Sequence, residues 1–109
     1  MSRHGRRDAT HAEVRDGWRG IVGVESVRDT ADLGGSFGDL VLGVAGLTFV
    51  LEVKTGSKAK LRPGQERAMV SWRGGPWLRV DSFADSLAKV GAELTRRGLP
   101  HWGHALRAA

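Results

Sequence analysis

The segment spanning residues 39–54 constrains the fold more than any other part of the chain. Two largely apolar runs, residues 40–44 and 47–54, are joined by the dipeptide Ala45-Gly46. Both runs are rich in valine and leucine, and a two-residue connection that contains glycine is typical of a tight β-turn. The pattern therefore predicts a β-hairpin at the centre of a small sheet.

Three charged residues lie at one end of this hairpin. Asp39 precedes the first strand, and Glu52 and Lys54 lie at the end of the second. Because alternate side chains of a strand share a face, Glu52 and Lys54 project side by side, and Asp39 can face them from the neighbouring strand. Charged side chains are rarely buried unless they are paired or ligated. Either the three residues mark where the hairpin meets water, with Asp39 merely starting a strand, or the sheet holds them for a purpose.

The rest of the chain alternates between helical and extended patterns. Before the hairpin we expect a helix at 10–19, with Thr10 and Glu13 as a capping box, and a strand at 23–28. After the hairpin we expect a helix from Pro63, with a buried stripe of Ala68, Met69 and Trp72. A strand at 76–80 and a helix from Ser82 that ends at Gly98 complete the pattern. The order helix, three strands, helix, strand, helix predicts an α/β fold with a small mixed β-sheet flanked by helices. The helix between the third and fourth strands makes that pair parallel.

One domain accounts for the length of 109 residues. Residues 1–9 are expected to form a flexible basic arm, 10–97 the domain, and 98–109 a weakly patterned tail. The chain has no cysteine, which excludes disulfides and thiolate zinc sites. No apolar run is long enough to cross a membrane and no signal-type segment follows the basic N-terminus, so we expect a soluble cytoplasmic protein.

The charge balance favours a polyanionic partner. Seventeen lysines and arginines oppose twelve acidic residues, giving a net charge of +5. Four basic residues after the hairpin suit the phosphates of a nucleic-acid backbone, although a solvated loop has the same composition: Lys58, Lys60, Arg62 and Arg67. His101 and His104 are too few for a zinc site, and a surface or packing role is the simpler interpretation.

The hairpin residues carry a family resemblance. Asp39 followed by Glu52-Val53-Lys54 resembles the core motif of the PD-(D/E)XK nuclease superfamily, and "LRPGQERAMVSW" is similar to the segment after the lysine strand in its small VRR-NUC branch. The resemblance covers residues 10–90, and the element order is that of the superfamily. It implies a restriction-endonuclease-like core and a DNA endonuclease that depends on Mg²⁺ or Mn²⁺ and leaves a 5′-phosphate. Branched or junction DNA is one expected substrate, because Holliday junction resolvases share the fold.

The resemblance also implies a set of metal ligands. Asp39 and Glu52 correspond to the two carboxylates, and the Val53 backbone carbonyl to a further ligand. Glu13 matches an acidic residue that the family often places on its first helix, where it ligates the metal or contacts a metal-bound water. That role competes with the capping box. The sequence departs from the family at Gly38, since proline often precedes the aspartate.

The resemblance assigns the water-activating step to Lys54, with Gln65 orienting the water or Lys54 itself. A polar residue in the first turn of a helix is also common without function, so the assignment of Gln65 depends on the resemblance. His11 is close to Glu13 in sequence and is a candidate for the same cleft.

A second function is compatible with the sequence, namely a non-catalytic nucleic-acid-binding module or subunit on the same fold. Trp72 and Trp77 flank the turn "GGP" and are more typical of core or interface residues than of base-stacking platforms. A chain of this length has difficulty covering both faces of a sheet, which favours a homodimer.

Overall fold

The computed structural model describes residues 5–21, 26–33, 37–54 and 61–107. The elements in chain order are α1 (Gly5–Arg19), β1 (Ser26–Asp29), a single 3₁₀ turn (Ala31–Leu33), β2 (Leu40–Val44), β3 (Leu47–Val53), α2 (Pro63–Ser71), β4 (Trp77–Val80), α3 (Phe83–Arg96) and α4 (Pro100–Arg107). This mixed arrangement confirms the α/β class. None of the described helices is long and apolar enough to cross a membrane.

The four described strands form a mixed sheet in the order β1-β2-β3-β4. β1, β2 and β3 are antiparallel neighbours, and β4 runs parallel to β3. The predicted hairpin is confirmed, with Leu40 opposite Leu51 and Val44 opposite Leu47. The parallel pair joined through α2 is confirmed as well.

The hairpin turn has both central residues in the left-handed region. The φ angle is 54° at Ala45 and 78° at Gly46. Positive φ at both central residues is the mark of a type I′ turn, whose twist matches that of the flanking strands. Glycine adopts this conformation readily, whereas an L-residue with a Cβ pays about 1–2 kcal/mol for it.

Replacing Ala45 with asparagine is therefore expected to stabilise the protein. Asn-Gly is the preferred pair of a type I′ turn, and the expected gain in the free energy of unfolding is about 0.5–1 kcal/mol. Urea denaturation followed by circular dichroism measures it. The control is Ala88→Asn at an exposed position of α3, where the lower helix propensity of asparagine is expected to cost roughly 0.5 kcal/mol. A loss of stability in Ala45→Asn would contradict the turn assignment.

The sheet has two different faces. Alternate residues of β3, Phe49, Leu51 and Val53, join the hydrophobic core together with residues of β2, β4, α1, α3 and α4. The members of this core are Val14, Trp18, Leu40, Leu42, Val44, Phe49, Leu51, Val53, Val80, Val90, Leu94 and Leu106. The second face carries Val50 and Glu52 of β3. By register, Trp77 and Arg79 of β4 lie beside them on this face.

The ends of the chain differ from the expectation. α1 begins at Gly5 rather than at residue 10, because "GRRDA" contains good helix formers, so Thr10 lies inside the helix and is not its N-cap. The expected tail contains α4, which packs against α3 and buries Leu106. Between them Gly98 has a φ of 87°, and the Leu99 N–H donates to the Leu94 carbonyl at 2.8 Å, which turns the chain back.

The first strand and the face of α2 that is buried also differ from the sequence-based expectation. The strand expected at 23–28 is described only from Ser26, since residues 22–25 lie outside the described residues. The buried stripe expected on α2 is wrong. Gln65 is the buried residue of that helix, Ala68 and Met69 are half-buried, and Trp72 follows the helix on the surface. The helix lies along the second face of the sheet instead of entering the core.

Candidate active site

Asp39 lies immediately before β2, and Glu52 lies near the end of β3. The described register ends with Leu40 opposite Leu51. The Asp39 N–H donates at 2.8 Å to the carbonyl of Leu51 rather than to that of Glu52, so the regular ladder stops at Leu40. The Asp39 carboxylate nevertheless reaches the backbone of Val53, the residue after Glu52. The structure thus brings the two predicted carboxylates to the same end of the sheet.

The Asp39 carboxylate is fixed by the backbone of β3. It is 5% exposed, and its Oδ2 accepts a hydrogen bond of 2.8 Å from the Val53 N–H. The Asp39 carbonyl accepts from the Thr30 N–H at 2.9 Å, which ties the same residue to the end of β1. The first bond holds the carboxylate against the last residue of β3, and the second holds the backbone that carries it.

The Glu52 carboxylate is held by α2. It is 1% exposed, and its Oε2 accepts a hydrogen bond of 2.6 Å from Gln65 Nε2. Gln65 is itself 3% exposed, and its Oε1 accepts from the Arg62 N–H at 2.9 Å at the start of the helix. The hydrogen bonds described for Gln65 therefore go to Glu52 and to the helix cap, rather than to Lys54. The N-terminal turn of α2 thus lies beside the Glu52 carboxylate.

Lys54 continues the second face beyond the end of β3. Its N–H donates to the Val80 carbonyl at 2.8 Å, so the ladder with β4 extends to this residue and its side chain shares the face of Glu52. It is half-buried. The side chain of Val53 enters the core, which leaves the backbone of that residue as its contribution to the second face. Sequence reasoning missed Arg79, the β4 residue in register with Glu52.

The other predicted basic residues divide into two groups. Arg62 and Arg67 are exposed at the start and in the middle of α2. Lys58 and Lys60 lie outside the described residues. His101 is exposed at the start of α4, with its ring 6.5 Å from that of Trp102, and the side chain of His104 also lies outside the description.

Comparison of the chain with protein-family models, curated proteins and solved structures finds no match.

Glu13 is exposed and caps a different helix from the one expected. Its Oε2 accepts a hydrogen bond of 3.2 Å from the N–H of Phe83, the first residue of α3. The capping box with Thr10 is wrong because α1 starts earlier. α3 follows β4, and the last residue of β4, Val80, lies beside Lys54. Glu13 is thus at the same end of the sheet as Asp39 and Glu52.

A histidine–aspartate pair occupies the neighbouring end of β1. His11 is buried, and its Nε2 lies 3.0 Å from Asp29 Oδ2, while Arg15 Nη1 is 3.3 Å from the same oxygen. Asp29 pairs with Leu40, one residue from Asp39. Partial burial by itself raises the pKa of Asp29, but hydrogen bonds from His11, the Ala31 N–H and Arg15 outweigh it and lower that pKa. Sequence reasoning found His11 and missed its partner Asp29, eighteen residues away on β1.

The lowered pKa of Asp29 predicts a loss of stability in acid. A carboxyl whose pKa is lower in the folded state stabilises the fold above its unfolded pKa of about 4, and the effect disappears as the pH falls through the folded pKa. The free energy of unfolding of Asp29→Asn is thus expected to fall less steeply than that of the unaltered protein between pH 6 and pH 3. Urea titrations at a series of pH values measure this slope. The exposed carboxylate of Asp32 supplies the control, Asp32→Asn, and equal slopes in the two variants would contradict the assignment.

Glycine precedes Asp39 for a packing reason. A Cβ on Gly38 would clash with Val50 Cγ1 and would lie 3.1 Å from the Leu51 carbonyl oxygen. Both contacts are tighter than ordinary ones, and the second partner is backbone. The β2–β3 pair leaves no room for a proline ring here, which accounts for the departure from the motif that the sequence resembles.

The oxygen atoms of Asp39 and Glu52 are the candidate ligands for a metal ion. The described residues contain no group of three or more histidine, cysteine, aspartate or glutamate side chains placed to hold a metal. Mg²⁺ commonly binds to one or two carboxylates and retains several waters. The two buried carboxylates at this end of the sheet are hard oxygen donors of that kind. The residues present therefore fit Mg²⁺ or Mn²⁺ with a partly aqueous ligand shell.

Proposed function

We propose that this protein is a metal-dependent DNA endonuclease with a PD-(D/E)XK-type core. The observation that carries the proposal is the pair Asp39 and Glu52, both buried and both held at the sheet end where Lys54 also lies. Carboxylates are rarely buried unless they are paired, hydrogen-bonded or ligated. Two of them gathered at one end of a small sheet support a functional site there.

The residues take separate roles in the proposed reaction. Asp39 and Glu52, with the Val53 carbonyl, would hold the metal, which when bound would stabilise negative charge on the phosphate and lower the pKa of a water. Lys54 presents an ammonium group to the attacking water and to a phosphate oxygen. Gln65 holds the Glu52 carboxylate through its 2.6 Å hydrogen bond, so we assign it a positioning role. Glu13 of α1, which accepts from the first N–H of α3, would add a ligand or contact a metal-bound water.

DNA is the proposed substrate because of the charge around these residues. The chain carries a net charge of +5, and Arg62 and Arg67 are exposed on the helix that holds Glu52. Contacts of this kind bind phosphates without regard to base sequence and weaken as salt rises. A homodimer would present two such sites to two strands or to two arms of a branched DNA.

The test is cleavage of a panel of labelled DNA substrates by the purified protein. Linear duplex, nicked, flapped and four-way-junction DNA are incubated with Mg²⁺ or Mn²⁺ and, in parallel, with EDTA. We expect metal-dependent cleavage that Asp39→Asn and Lys54→Met abolish. Asp16→Asn and Arg19→Gln remove one charge of each sign from exposed positions of α1 and are expected to leave cleavage unchanged. Cleavage that persists in EDTA, or in both site variants, contradicts the proposal.

A non-catalytic nucleic-acid-binding module is the second candidate. The observation that favours it is the small donor set, because the described residues contain two carboxylates at this position and no group of three or more metal-binding side chains. It predicts salt-dependent DNA binding with no turnover in any metal. Titration calorimetry with Mn²⁺ separates the two functions, since binding of Mn²⁺ that Asp39→Asn removes is expected only for the nuclease.

A further inference from the structure

An aromatic groove lies on the same face of the sheet as Glu52. It has a volume of about 390 Å³ and is lined by Phe37, Ala68, Ser71, Trp72, Arg73 and Trp77. Trp77 is in register with Val50, two residues before Glu52 on β3. Two residues of a strand span roughly 7 Å, so the groove begins about that far from the carboxylates. We call these six residues the aromatic groove.

Three rings in mutual contact form the base of the aromatic groove, with Trp72 edge-to-face to the other two and Phe37 tilted against Trp77. The ring centroids of Phe37, Trp72 and Trp77 are 5.6–5.7 Å apart in each pair. The Trp72 indole is also fixed from behind, because its Nε1 donates to the Gly75 carbonyl at 2.9 Å and a Cβ on Gly74 would lie within 2.6 Å of the ring. Trp72 remains 36% exposed. A rigid, partly exposed indole is a stacking surface that loses little entropy when a ligand binds.

The charge at the rim of the groove is positive. Arg73 lines the groove and Arg67 lies one turn before Ser71, and both are exposed. Among the described residues neither arginine forms an ion pair with a carboxylate. Residues 61–76 contain three arginines and one glutamate. An aromatic floor with a cationic rim is complementary to a nucleobase and its phosphate.

We infer that the aromatic groove binds an unpaired nucleotide of the DNA strand, with its base against Trp72 and its phosphate near Arg73. This inference rests on the proposed function, because it selects within DNA the substrates that have an unpaired strand next to the cut. The separation of roughly 7 Å from the carboxylates is about two nucleotide steps of a stacked strand. Bases inside a duplex are stacked on each other and cannot enter the groove. The protein is thus a nuclease for flaps, gaps or the open centre of a junction.

Metal-free binding tests the groove separately from cleavage. Fluorescence anisotropy in EDTA measures the affinity of labelled oligothymidine, a blunt duplex, and the same duplex with a single-stranded flap. Trp72→Leu is expected to weaken binding of oligothymidine and of the flap roughly 5- to 150-fold, as loss of one stacked base does. Binding of the blunt duplex is expected to change less than about twofold. Trp72→Phe keeps a ring and is expected to recover most of the affinity.

Two control variants separate the loss of the Trp72 ring from a general loss of apolar surface or positive charge. Val70→Ala removes apolar surface from an 80% exposed neighbour outside the groove, and Arg19→Gln removes a charge from α1; both are expected to bind all three DNAs as the unaltered protein does. Equal weakening of all three DNAs by Trp72→Leu, no weakening, or conversion of a dimer to a monomer in light scattering overturns the inference. Trp72-dependent binding of the flap without metal-dependent cleavage supports the groove and contradicts the nuclease. Cleavage that prefers blunt duplex supports the nuclease and contradicts the groove.

Discussion

Replacing Glu52 with glutamine is expected to reduce metal-dependent cleavage by roughly 100-fold or more. Charge stabilisation by a bound metal is worth several kcal/mol, and each 1.36 kcal/mol changes a rate about tenfold. The same substitution is expected to leave the metal-free fold almost intact. Glutamine has the shape of glutamate and keeps an oxygen that can accept the hydrogen bond from Gln65. The free energy of unfolding in EDTA is thus expected to stay within about 1 kcal/mol of the unaltered protein.

Thermal unfolding with and without Mn²⁺ is the measurement that distinguishes a lost ligand from a damaged fold. A metal that binds only the folded state raises the Tm, and the rise grows with metal concentration. We expect this rise in the unaltered protein and not in Glu52→Gln. Glu93→Gln is the matched control. Glu93 lies on α3, which packs on the core face, and a hydrogen bond from Arg96 lowers the pKa of its carboxyl. Because Glu93 does not belong to the proposed site, the variant is expected to keep both the rise in Tm and the cleavage activity. A metal-dependent rise that survives in Glu52→Gln would contradict the assigned ligand.

The centre of the sheet could be predicted from the sequence because its determinants are local. A dipeptide turn between two apolar runs specifies a hairpin and its register, and the hairpin brings Asp39 and Glu52 to the same end of the sheet. The parallel β3–β4 pair follows from the helix between them. The cap of α3 was equally local, since Ser82 Oγ accepts from the Asp85 N–H at 2.9 Å, as the sequence spacing predicts.

The rest could not be predicted because its determinants are distant or weak. Glu13 fits a local capping box by spacing, but its carboxylate accepts from Phe83, seventy residues away. α2 has a weak apolar pattern, and its position depends on one buried glutamine that bonds to Glu52. α4 has only eight residues, so its pairing of Trp102 with Leu106 gave too short a pattern to recognise. The groove was missed for a similar reason, since tryptophan is equally compatible with a core and with a partly exposed face.

Replacing Trp18 with alanine is expected to have the largest effect on stability of any single change on the core face. Trp18 is fully buried, stacks edge-on against Phe83 with centroids 6.0 Å apart, and donates from Nε1 to Ser86 Oγ at 2.8 Å. It is therefore a principal contact between α1 and α3. A buried Trp→Ala change costs about 3–5 kcal/mol, against a total of about 5–15 kcal/mol for a domain. We expect Trp18→Ala to be largely unfolded at 37 °C by circular dichroism.

Ser86→Ala tests the same contact without opening a cavity. The substitution leaves the Trp18 N–H buried without its acceptor, which costs about 1–3 kcal/mol. Ser71→Ala is the control, because the exposed Ser71 hydroxyl donates to the Arg67 carbonyl and its loss is expected to cost less than about 0.5 kcal/mol. Equal costs in the two variants would contradict the role of Ser86. Since Ser86 packs on the core face and Glu52 lies on the other, Ser86→Ala is expected to lower the free energy of unfolding without changing the cleavage rate at temperatures where it remains folded.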